Sequence, residues 1–159
     1  MKKTKIILLL LIFILVLTGC TKKSSTCEKF ASALKEQGYE VYDYTQGYGY
    51  ANKAYQSSSD DYMALFVEGK NLKDIQGIFI DEVKNIYGLA GVKTKEEQEQ
   101  SEDKGPIPIV KGGDSWESVE VTTDNSFYYI SYINDTLLYI KSNTDNEAKF
   151  RKIIDTIKY

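Results

Sequence analysis

An α+β domain, with a mainly antiparallel sheet of four or five strands and three helices packed against it, is the fold class this 159-residue sequence predicts. Three observations predict it. Apolar stripes at helical spacing occur in three separated segments. Alternating or continuous runs rich in β-branched and aromatic residues fill the last third. Between two of those runs lies Asn134-Asp135, a two-residue connection that tolerates the positive φ of a tight hairpin.

The chain opens with Lys2, Lys3 and Lys5, followed by an unbroken apolar run from Ile6 to Leu17. That run has the length of a signal-peptide core and falls short of the roughly 20 apolar residues that span a bilayer. It ends at Leu17-Thr18-Gly19-Cys20, and no A-x-A-like pair of small residues offers an ordinary secretory cut. This arrangement resembles the bacterial lipobox, in which the cysteine receives a diacylglycerol and becomes the mature N-terminus. The resemblance implies that residues 1–19 are a lipoprotein signal peptide and that Cys20 is lipidated. It places the domain on the extracytoplasmic face of the membrane. Two acyl chains on one cysteine give a lasting anchor where one would bind only marginally. Thr21–Ser24 then form a short tether of at most about 14 Å at full extension. A single domain is expected over residues 25–159.

Ser25-Thr26-Cys27-Glu28 has the spacing of a capping box, and Cys27, Phe30, Ala31 and Leu34 form the stripe of a first helix closed by Gly38. Tyr39–Thr45 reads as a strand, with a second short strand around Lys53–Gln56. Ser57–Asp60 reads as a turn, which leaves Asp60 and Asp61 on opposite strand faces and unsuited to share a proton. Tyr62–Val67 is a nearly continuous apolar strand. Asn71 can cap a second helix with its stripe at Leu72, Ile75, Phe79, Val83 and Ile86, ended by Gly88. Residues 93–114 are charged and polar without an apolar period, and are expected as an exposed, mobile loop within the domain. Their acids match no cation-binding loop.

Trp116–Thr123 alternates, with Glu117, Val119 and Val121 on one face and Trp116, Ser118 and Glu120 on the other. Phe127–Ile133 and Thr136–Lys141 form the predicted hairpin. Thr144–Glu147 repeats the capping-box spacing before a final helix striped by Phe150, Ile153, Ile154 and Ile157. With its lipobox, Phe30, Gly38-Tyr39 followed by Asp43, Asp135-Thr136-Leu137-Leu138-Tyr139 and terminal Tyr159, the chain resembles a set of small lipoproteins of low-GC Gram-positive bacteria. That resemblance implies a fold and no activity.

Loss of the leader removes three lysines and no acids, so the formal charge moves from −3 to −6. An acidic chain without a basic run argues against nucleic acid as a partner and against electrostatic adhesion to anionic lipid, which leaves membrane attachment to the acyl chains. Histidine is absent, which removes the commonest general base and metal ligand. No serine-hydrolase, zinc-protease, P-loop or dinucleotide motif occurs, so no catalytic residue, metal or cofactor is expected. With Cys20 acylated, Cys27 has no intramolecular disulfide partner and is expected to be a small buried hydrophobe.

Thirteen tyrosines all fall in the mature part. Most suit half-buried strand faces. Tyr48 and Tyr50, in a glycine-containing segment, are the ligand-binding candidates, with Trp116 as a candidate neighbour, because aromatic side chains offer a large contact area at low entropic cost. The leading expectation is a membrane-anchored, non-catalytic binding module whose partner is an envelope protein or polysaccharide. A carboxylate-dependent surface hydrolase and a structural or inhibitory subunit of a membrane complex are the alternatives. Nothing in the residues fixes the oligomeric state.

Overall fold

The computed structural model describes residues 22–159, so the leader and Cys20 lie outside the described residues. The elements in chain order are helix α1 (Cys27–Glu36), strands β1 (Tyr42–Asp43), β2 (Ala51–Ser59) and β3 (Tyr62–Gly69), and helices α2 (Leu72–Ala90) and α3 (Lys95–Gln100). Strands β4 (Ile109–Gly113), β5 (Trp116–Thr122), β6 (Ser126–Ile133) and β7 (Thr136–Asn143) and helix α4 (Glu147–Ile157) follow. The α+β class holds. The strand count does not: seven strands form one sheet in the order β1-β2-β3-β7-β6-β5-β4, every neighbouring pair antiparallel.

The three long helices divide between the two sheet faces. On one face, Phe30 and Leu34 of α1 and Phe150, Ile153 and Ile157 of α4 cover Ala64, Phe66, Phe127, Leu138 and Ile140. On the other, Ile75, Phe79 and Ile86 of α2 cover Leu65, Val67, Val119, Val121, Ile130 and Leu137, with Tyr128, Tyr132 and Tyr139 among them. The central strands β3, β7 and β6 are covered on both faces, which is why they read as near-continuous apolar runs rather than alternating ones.

The extra strands have clear physical origins. β4 is an edge strand exposed along its whole length, so it carries no buried stripe and takes its order from the ladder to β5. It lies inside the segment expected as a loop, and so does α3, opened by a capping box in which Thr94 and Glu97 exchange hydrogen bonds. β2 runs nine residues rather than four. A register shift between Ala51 and Lys53 lets Ala51 and Ala54 both face α2. β1 shrinks to two residues because the chain turns into a 3₁₀ segment at Thr45–Gly47.

Helix ends follow the sequence with local shifts. Thr26, not Ser25, caps α1 by accepting from Lys29 N, and the Ser25 hydroxyl is buried without a hydrogen-bond partner. Gly38, at φ +84°, closes α1 as expected, with Tyr39 N donating to Leu34 O at 3.1 Å and Gly38 N to Lys35 O at 3.0 Å. Asn71 caps α2, which runs through Gly88 and stops at Gly91, where φ is +70°. Before α4 the capping box does not form. Asn143 caps a 3₁₀ turn at Thr144–Asn146, and Glu147 accepts a hydrogen bond from Arg151 instead. Asn134, at φ +53°, makes the β6–β7 turn.

Candidate functional site

Trp116 begins β5 directly after a tight turn, with Gly113 of β4 as its cross-strand partner. A Cβ on Gly113 would lie 2.5 Å from Trp116 Nε1, so the indole can lie across the edge strand only because that position is glycine. Alternation along β5 turns Trp116, Ser118 and Glu120 to the face that α4 covers. β4 adds Ile109 and Lys111 to the same face through its pairing with Glu120 and Ser118. Together with Arg151, Ile154 and Asp155 of α4, and with Tyr129 and Tyr159 below, these residues enclose a groove of about 420 Å³.

Lys22 closes one side of the groove. Its ammonium lies 4.5 Å from the centre of the Trp116 ring, a cation–π distance. Partial burial, reinforced by the charge of Lys111, lowers its pKa. Among the described residues, neither Lys22 nor Lys111 belongs to an ion pair. Arg151 is different. Its Nη1 and Nη2 donate to the two Glu120 oxygens at 2.9 and 2.7 Å, and its Nε donates to Glu147 at 2.7 Å. Its guanidinium also lies 4.8 Å from the Phe127 ring centre. The hydrogen bonds to Glu120 raise its pKa further above its already high value. The groove therefore has one wall locked by a salt-bridge network and another holding two cations without carboxylate partners. Its floor is fixed by Tyr159, buried, whose hydroxyl lies 2.8 Å from Thr136 Oγ1.

The expected aromatic constellation does not assemble. Tyr48 and Tyr50 pack against the α2 face, whereas Trp116 packs against the α1–α4 face. Strands β3, β7 and β6 lie between β2 and β5, a separation of about 19 Å at the usual strand spacing. Nor is the tyrosine segment free. Lys70 Nζ donates to Gly49 O at 2.7 Å, and the two rings lean together at 5.4 Å. Burial pushes the Tyr50 hydroxyl up to about 12. The preceding turn is held by Asp43, which accepts from Thr45 N and Oγ1 at 2.9 and 2.6 Å. Trp116 keeps a place in a groove; Tyr48 and Tyr50 are half-buried against the core on the α2 face. Sequence reasoning missed Lys22, Lys111, Arg151 and Gly113. A glycine one tight turn before a lone tryptophan was the available signal for the last of these.

Cys27 is fully buried beneath α1, its backbone N donating to Glu68 Oε1 at 2.7 Å and its thiol facing Phe66 O at 3.8 Å. Burial, then the charge of Glu68, pushes the thiol up to about 12, a poor nucleophile. Two other depressions are more open and lack a buried aromatic floor. One, of about 560 Å³, lies between α1 and the end of α4, and the other, of about 780 Å³, beside Asp43–Gly47. No group of three or more acids or cysteines suited to a metal occurs among the described residues, nor does any helix long and apolar enough to cross a membrane.

No protein-family model matches the chain, and no curated protein matches its sequence. Among solved structures it is similar to the crystal structure of a GTP binding regulator from Thermotoga maritima. The identity is 9%, over 83% of this chain and 87% of that one, with a TM-score of 0.45. Likeness at that level defines no shared activity. What fold and groove define is a three-layer α+β domain carrying a cation-bearing aromatic cleft at one sheet edge.

Proposed function

We propose that this chain is a membrane-anchored lipoprotein of the extracytoplasmic face, lipidated at Cys20, whose domain is a non-catalytic binding module. The Trp116 groove takes an anionic component of the envelope. The observation that carries this reading is the pair Lys22 and Lys111, set side by side against an indole with no ion-pair partner among the described residues. Placing two like charges together is unfavourable until an anion joins them, and the flat ring beside them offers a stacking or apolar surface to the rest of the ligand. Binding fits the groove better than carboxylate-dependent hydrolysis does, because Glu120 commits both oxygens to Arg151.

Trp116 is the only tryptophan in the chain, so its fluorescence reports on this groove alone. Titration of the protein with a glycerol-phosphate polymer is expected to change that emission, and a neutral polysaccharide is not. The substitutions K22Q and K111Q together are expected to weaken the response at least ten-fold. An equal response to both polymers, or an unchanged response in the double variant, would remove the groove as the site.

A further inference from the structure

The β4 edge and the residues just before it expose a run of large apolar side chains. Ile107, Ile109 and Val110 are 73%, 51% and 53% exposed, and they fall within four consecutive residues. An exposed edge strand carrying apolar side chains invites pairing with other chains unless something covers it. Lys111 follows Ile109 and Val110 on β4, and Ile107 lies just before the strand begins. Lys22, the first described residue, lies with Ile109 and Lys111 in one groove. Only Thr21 separates Lys22 from Cys20, and two residues of chain reach at most about 7 Å.

From this, the geometry points to the anionic lipid surface itself as the partner of this edge: β4 lies along the bilayer that holds Cys20. Ile107 and Ile109 enter the headgroup boundary, and Lys22 and Lys111 meet phospholipid phosphates. This rests on the lipidation of Cys20 proposed above and names the anionic component. Three features select the lipid over other occupants. The described chain begins at Lys22, in the groove beside this edge, whereas β1 is the opposite edge of the sheet, six strand positions from β4. The edge pairs apolar side chains with cations, the combination that interfacial segments use. Its unpaired backbone groups remain hydrated in the headgroup layer, where insertion into hydrocarbon would leave them unsatisfied.

The test uses the full lipoprotein in vesicles of phosphatidylcholine containing phosphatidylglycerol, with an environment-sensitive fluorophore on I107C or, at the opposite edge, on Y42C. Cys27 is buried and does not compete for the label. The label at 107 is expected to shift to the blue and to be quenched by spin-labelled lipid; the label at 42 is expected to do neither. Each of K22Q and K111Q should reduce the ratio of bilayer-apposed to free label by roughly five-fold, the factor for removing one cation from an anionic lipid surface. Protein that floats with vesicles but leaves the 107 label unquenched would overturn the proposed edge while sparing the anchor. Failure to float, with an unmodified Cys20 by mass spectrometry, would overturn the anchor. A blue shift at 107 that grows with protein concentration and ignores lipid would assign the edge to a second copy and overturn the proposal.

Discussion

Replacing Arg151 by alanine tests how the groove is held. The side chain is 42% exposed, against 17% for Glu120 and 23% for Glu147, so its ion pairs are partly screened. A bidentate charge-assisted pair is worth about 2 kcal/mol when dry, and exposure reduces that to about 1 kcal/mol here. The i,i+4 pair with Glu147 adds about 0.4 kcal/mol, and the contact over Phe127 about 0.5 kcal/mol. The total loss is about 2 kcal/mol, equivalent to a fall in Tm of roughly 6 °C for a domain of this size. Thermal unfolding followed by circular dichroism measures it, and a cycle with E120Q isolates the Glu120 share, expected near 1 kcal/mol. The Tm difference should shrink in concentrated salt. A fall of less than about 1 °C, or a coupling near zero with Glu120, would refute the idea that this network holds α4 to β5.

The alkaline limb of stability should be steep. Burial raises Cys27, Tyr50 and Tyr139 to about 12 from ordinary values of 9.0, 10.0 and 10.0. Because the folded state favours their neutral forms, their contribution is complete below about pH 9 and is lost as pH rises toward 12; urea midpoints measured across that window should fall, and a flat profile would contradict the burial. In the native protein Cys27 should resist alkylation at neutral pH and react only on unfolding. G113A should displace the indole, moving the tryptophan emission and costing about 1–2 kcal/mol; an unchanged spectrum would mean that the ring does not lie across the edge strand.

Most of the architecture was legible because local and tertiary signals agree. Phe150, Ile153, Ile154 and Ile157 form a helical stripe and are all buried, and Asn134 takes the left-handed conformation that a two-residue hairpin demands. What escaped is what only pairing creates. β4 has five exposed residues and no periodicity, yet the ladder to β5 orders it. The cap of α1 moved by one residue because Ser25 is buried and Thr26 alone can reach Lys29 N. The site was half legible. A lone tryptophan beside glycines marks a candidate in sequence. Its cations come from residues 22, 111 and 151, so the groove exists only once β4, β5, α4 and the N-terminal segment meet.

The sheet order also constrains how the chain can be made. β3 waits for β7, with Tyr62 facing Ser142 and Glu68 facing Thr136, so the middle of the sheet joins elements from distant parts of the chain. Such non-local pairing is slow, and a nascent chain released up to β6 still lacks the strand that links its two halves. The two halves of the core therefore cannot join until β7 has been made, so its closure trails the hairpins on either side of it.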